Sequence, residues 1–243
     1  MKAGLTFLMK SVLALLGCCA PGVHGANLQI SPVTLNLRAA QSAAGINLQN
    51  LGDQPIYGQV RVFAWDQRGG EEVLAPTQEL VASPPIVEIA ANSRQTIRLV
   101  RAQAGAVAQE QTYRVLIDEV SRDDDSGRSG VDIRLRYSVP VFVLPSGVPG
   151  KEALDWQVYR KDGEWMLRVQ NSGNYHAQIG SLTLTNQAGK DFVISSGLFG
   201  YVLAGRMRVW RLPVARDAAL EGPLAINVTV NAKAIVARNS TPP

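Results

Sequence analysis

The sequence predicts an all-β protein built from two sandwich domains, and three observations predict it. Segment after segment alternates apolar with polar residues, instead of repeating its apolar positions every three or four as a helix does. Those segments are bounded by Gly, Asn, Asp and Pro, the residues that turn a chain between strands. A stiff, helix-breaking "PSGVPG" at 145–150 divides the series in two.

The chain opens on "MKAGLTFLMKSVLALLGCCAPGVHGAN". Lys2 and Lys10 precede an apolar run from Ser11 to Ala20 that is too short to cross a bilayer, and Val23-His24-Gly25 before Ala26 suits a signal peptidase. Residues 1–25 therefore read as a secretory signal peptide. "LLGC" ending at Cys18 also resembles a lipoprotein cleavage site, with Leu16 standing where a small residue is usual. That alternative would change the anchor and leave the fold as it is. Cys18 and Cys19 are the only cysteines and both fall in this segment, so the mature chain is expected to lack disulfides and thiolate chemistry. It must hold together by apolar burial.

Seven segments follow: "LQISPVTLNL", "AGINLQNLG", "IYGQVRVFAWDQ", "IVEIA", "QTIRLVR", "TYRVLIDEV" and "VDIRLRYSVPVFVLP". Seven strands in about 120 residues is the count of an immunoglobulin-like sandwich. Beyond the Pro/Gly elbow come "LDWQVYRKDGEWMLRVQNSG", "YHAQIGSLTLTN", "FVISS", "GYVLAGRMRVWRL" and "AINVTVNAKAIVAR". The Asp-Gly of "KDGE" marks a tight hairpin. The expected organisation is a signal at 1–25, an N-terminal immunoglobulin-like domain at 26–145 and a C-terminal one at 146–243. The two are joined by the elbow.

Composition excludes several functions. The 24 basic and 20 acidic residues come close to balance once Lys2 and Lys10 are removed, which gives no electrostatic case for nucleic acid. No second apolar run approaches spanning length, so no membrane insertion is expected. His24 lies in the signal, which leaves His176 in "GNYHAQI" with no visible nucleophile or orienting acid. No G-x-S-x-G, H-E-x-x-H or phosphate-binding loop occurs. The sequence thus suggests no enzyme, metal or cofactor. Asp123-Asp124-Asp125 reads as a solvated loop, and Arg206, Arg208, Arg211 and Arg216 near Trp210 read as charges on a strand face.

The segment "VDIRLRYSVPVFVLP" stands apart. Val131, Ile133, Leu135 and Tyr137 form one apolar row, Asp132, Arg134 and Arg136 alternate with them, and "SRDDDSGRSG" leads in. It is long for a strand. By periodicity alone it is either an ordinary core strand or a strand offered to another molecule.

"LQISPVTLNL", "QTIRLVR", "YRVLIDEV", "RYSVPVFVLP", "LRVQNSGNYHA" and "GYVLAGRMRVW", in that order, resemble the periplasmic pilus-assembly chaperones of chaperone–usher systems. "SPVTLNL" and "RYSVPVFV" look like the archaic, spore-coat-type branch. The resemblance implies a non-enzymatic chaperone with its two domains set at an angle across the elbow, whose partners are pilin subunits and an outer-membrane usher. Pilins resemble immunoglobulin domains without their last strand, and family chaperones lend that strand from their own seventh. On this reading Val131, Ile133, Leu135 and Tyr137 are the donor row. Burying each side chain contributes about 1.5–3 kcal/mol before ordering costs. The family's better-studied branches grip the pilin's terminal carboxylate with two basic residues. The matching positions here fall near Pro32 and Pro140, neither of them basic. Strand order instead puts Arg101, closing "QTIRLVR", and Arg114, opening "TYRVLIDEV", near the cleft as the expected clamp. A secreted two-domain adhesive or carbohydrate-binding module is the alternative.

Overall fold

In the computed structural model, residues 28–120, 134–147 and 150–240 are described; the signal segment, the Asp123–Asp125 cluster, Val131 and Ile133 lie outside them. Eighteen strands and no α-helix make up the described residues. Each half of the chain folds around its own apolar core. One draws on Leu37, Ile46, Leu48, Ile97, Leu99, Val115 and Val141. The other draws on Trp156, Leu167, Val169, Ile179, Leu182 and Ile226.

The first sandwich faces a four-stranded sheet against a six-stranded one. The four-stranded sheet runs β1 (Leu28–Ser31), β3 (Ala43–Asn50), β8 (Arg94–Arg101), β6 (Leu80–Ser83). The six-stranded sheet runs β2 (Leu35–Arg38), β10 (Arg136–Leu144), β9 (Gln111–Val120), β4 (Ile56–Arg68), β5 (Glu71–Pro76), with β7 (Ile86–Ile89) also on β4. "LQISPVTLNL" reads as one strand but is two. β1 pairs antiparallel with β3, whereas β2 pairs parallel with β10 in the opposite sheet. Pro32 has no N–H to continue a ladder, which suits the point where the chain changes sheets.

The second sandwich sets β11 (Leu154–Lys161), β12 (Glu164–Asn171) and β16 (Met207–Arg211) against β14 (Asp191–Ser195), β13 (Ala177–Thr185), β17 (Ala225–Val230) and β18 (Lys233–Arg238). β15 (Gly200–Val202) also joins β13. Asp162 and Gly163 have φ of 51° and 79°, the left-handed pair that a two-residue hairpin turn requires.

The same turn recurs in both halves. Asn50 and Asn171 are both fully buried. Asn50 donates to the carbonyl of Gln54 and accepts from the N–H of Gly52; Asn171 does the same with Tyr175 and Gly173. A buried amide satisfied in this way fixes where each strand must end.

Candidate functional site

β10 changes character along its length. Its inward row is Leu135 (just before the strand), Tyr137, Val139, Val141 and Val143. The last three are buried in the first core, while Leu135 and Tyr137 are only half-buried. One continuous apolar row therefore fills the protein's own sandwich at one end and emerges from it at the other.

The backbone changes along with it. The Glu119 N–H donates to the Leu135 carbonyl at 3.0 Å, so residues 135, 137, 139, 141 and 143 turn their hydrogen-bonding groups to β9. Arg136, Ser138 and Pro140 turn theirs the other way. β2 covers that far side only from Val141 to Leu144. Among the described residues the edge from Arg136 to Pro140 has no strand beside it. Pro140, lacking an N–H, sits where no inward donor is needed.

The outward side chains keep this edge soluble. Asp118, across from Arg136, takes ion pairs from both Arg136 and Arg61, the latter at 2.7 Å. Burial pushes the Asp118 carboxyl up, but the hydrogen bonds from Arg136 and Arg61 outweigh it and hold the group below its ordinary range. On the apolar row, the Tyr137 hydroxyl donates to the Leu28 carbonyl at 2.9 Å, closing the open end of the sandwich between β10 and β1. Burial, and then Glu119, pushes this phenol up.

At its other end β10 meets the second domain. Phe142, on the outward face, is fully buried with Trp65, Tyr201 and Leu203. His176 stacks on Phe142, with ring centroids 3.5 Å apart and 4° between the planes. Its backbone N–H donates to Glu110 Oε2 at 2.8 Å, and its Nδ1 hydrogen-bonds Oε1 at 2.7 Å. The Gln67 amide bridges the domains as a strand would, donating to the Tyr201 carbonyl and accepting from the Leu203 N–H. Arg206 pairs with Asp66 at 2.6 Å and Arg208 with Glu71 at 3.0 Å. Gly70 lies so close that a Cβ there would sit 2.7 Å from a Val209 methyl. His176 thus joins the two domains, and half of the arginine cluster in "AGRMRVWRLPVAR" does the same. Arg211 and Arg216 pair with Glu164 within the second domain.

The two arginines expected as a clamp are not brought together. Arg101 shares the inward row of β8 with Ile97 and Leu99 and donates to the carbonyls of Ala39, Gln41 and Gly105. Its donors are already occupied in tying β8 to neighbouring loops. Arg114 follows the inward-facing Tyr113 and so points to the opposite side of its sheet. There its guanidinium lies 3.7 Å over the Trp65 ring and 5.3 Å from that of Tyr201. Its one ion partner among the described residues is Glu72, at a loose 3.7 Å. Burial pulls its pKa down, and Glu72 opposes this. Thr112, on the same face of β9, lines a cleft between the domains together with Asp66, Asn174 and Arg206.

A sandwich pair joined this firmly, with one strand left open along half its length, has a counterpart among known proteins. The family model described as pili and flagellar-assembly chaperone, PapD N-terminal domain, matches residues 27–149. The chain belongs to this family. Solved structures agree in fold across the whole chaperone. The chaperone in the CsuC–CsuE chaperone–tip adhesion subunit pre-assembly complex, from the archaic chaperone–usher Csu pili of Acinetobacter baumannii, is 24% identical, with 88% of this chain and 98% of that one covered and a TM-score of 0.69. The YadV chaperone is 20% identical over 88% and 98%, with a TM-score of 0.62. A structure of the Salmonella enterica SafA pilin in complex with the SafB chaperone gives 17% identity over 89% and 96%, at 0.59. A search of curated proteins finds no match.

Sequence reasoning missed the junction cluster of Trp65, Gln67, Glu110 and Phe142. A signal for it was present. In "VPVFVLP" strict alternation gives way to residues buried on both faces, and in "FAWDQ" Trp65 and Gln67 are buried on the face away from the core, as must happen where a second domain covers the sheet's outer side.

Proposed function

We propose that this chaperone works in the periplasm, captures pilus subunits by lending them the open half of β10, prevents their premature aggregation and delivers them to an outer-membrane usher. The observation that carries the reading is the unpaired edge from Arg136 to Pro140, running alongside an apolar row that leaves its own core at Tyr137 and Leu135. A subunit lacking a strand exposes backbone donors and acceptors together with an apolar groove. The edge meets the first need and the row meets the second. By sequence phase Ile133 and Val131 extend the same row. Because the row is continuous with the chaperone's own core, a docked subunit would continue that core rather than start a separate one.

Arg114 is the better candidate for the subunit's terminal carboxylate. It is a largely buried guanidinium facing the junction, its one ion pair among the described residues is loose, and its fork of donors can give two parallel hydrogen bonds to a carboxylate. Arg101 has its donors engaged with the carbonyls of Ala39, Gln41 and Gly105 and is a strut within the first domain. The adhesive-module alternative has no supporting feature on this surface.

Co-expression with a pilin subunit tests the reading. The native chaperone should keep that subunit soluble and co-purify with it, whereas Leu135→Asp should fold normally and lose it. Arg114→Ala should weaken capture. Undiminished capture by a folded Leu135→Asp variant would contradict the proposal.

A further inference from the structure

A second open edge lies at the far end of the molecule, unconnected with β10. β18 pairs only with β17 among the described residues, and the two are joined by the two-residue loop Asn231-Ala232, which has φ of 47° and 63°. In such a hairpin Val230 and Lys233 exchange hydrogen bonds, and the Asn239 N–H donates to the Leu224 carbonyl at 3.3 Å in the same phase. Odd-numbered residues of β18 therefore face β17, while Ala234, Val236 and Arg238 aim their backbone groups at the empty side.

This edge is guarded only at its ends, by Lys233 and Arg238; "AIVA" between them has no proline, bulge or inward charge. Val236 is 69% exposed and Ile235 is 40% exposed. Beneath the edge runs a groove formed by Leu154, Trp156, Val230, Ile235 and Ala237, with Glu152 and Asp155 on its β11 side. Ser240, the last described residue, crosses to donate its N–H to the Trp156 carbonyl on β11.

Charge selects the occupant. Lys233 and Arg238 make no ion pair with a described residue. β18 contains no acid, so a second copy pairing antiparallel through it would leave both Lys233 and Arg238 without a counter-charge. A strand of different sequence can supply one opposite each. We infer that β18 is a strand-addition edge for an extended segment of a partner protein with acidic residues opposite Lys233 and Arg238 and apolar residues opposite Ile235 and Ala237. In antiparallel register that segment reads acid–apolar–any–apolar–any–acid.

The test uses the full mature chaperone and two labelled peptides, Glu-Val-Thr-Val-Thr-Glu and Lys-Val-Thr-Val-Thr-Lys, followed by fluorescence anisotropy. The acid-flanked peptide should bind about tenfold or more tighter, since two opposite-charge cross-strand pairs replace two like-charge pairs. Val236→Pro removes one outward N–H and leaves the β17 ladder intact. It should abolish peptide binding while thermal unfolding and pilin capture stay as in the native protein. The double variant Lys233→Glu, Arg238→Glu should reverse the preference, which keeps the test decisive even if the proline variant folds poorly. Equal affinity for both peptides, binding of neither, or binding indifferent to these changes would overturn the inference. So would a sedimenting dimer that Val236→Pro dissolves, because the edge would then belong to a second copy.

Discussion

Leu135 and Val141 stand on the same row of the same strand, one half-buried and the other fully buried. From Val141 onward β10 has β9 on one side, β2 on the other, the core beneath and the second domain above. Before Val139 it has β9 alone. The difference teaches that a single alternating sequence can serve two molecules, provided its neighbours stop before it does. The domain junction anchors one end of the strand at Phe142 and, on the proposed function, so sets the direction in which the other end is offered.

The comparison can be broken first at the immobilised end. Phe142→Ala should cost about 3–5 kcal/mol of stability in chemical denaturation, because it empties a fully buried site shared by Trp65, Tyr201 and His176. The open end should behave in the opposite way. Leu135→Asp should change stability by less than about 0.5 kcal/mol yet weaken subunit capture by about 2–3 kcal/mol, read as a competition titration. Glu110→Gln should cost about 1–3 kcal/mol, since one of two donors from His176 then faces an NH2 group.

The smallest effect concerns pH. The Asp118 carboxyl is held below its unfolded value, so its contribution is present above that value, near pH 4, and lost as pH falls through the folded one. Its arginine partners are well exposed, so the contribution is a few tenths of a kcal/mol to about 1. Asp118→Asn should flatten the decline in stability between about pH 5 and pH 2, seen in denaturation midpoints.

Much of this was legible in the sequence, and the rest was hidden for identifiable reasons. Alternation located the long strands, and the Asp162-Gly163 turn placed one hairpin. β5 escaped because a short, largely exposed edge such as Glu71–Pro76 has no buried row to betray it, and β6 because its buried row is only Leu80 and Ala82. The split of β1 from β2 shows only as a slip of phase, from even-numbered Leu28 and Ile30 to odd-numbered Leu35 and Leu37, and it escaped because each half is just four residues long. In the site, the emerging row of β10 could be read from residue types. The separation of Arg101 from Arg114 could not, because chain position fixes which end of a sandwich a residue occupies and only strand phase fixes its face. Glu110 and His176 are 66 residues apart, and nothing local announces their pairing.

Amide hydrogen exchange, residue by residue along β10, tests the shared-strand account most directly. In the free chaperone Arg136 and Ser138 should exchange rapidly while Tyr137 and Val139, bonded to β9, exchange slowly. Adding a strand-deficient pilin subunit should slow Arg136 and Ser138 by about tenfold or more and leave Val141 and Val143 as they were. If a complex forms while Arg136 and Ser138 still exchange as in the free protein, the subunit is held elsewhere and β10 is not the strand it borrows.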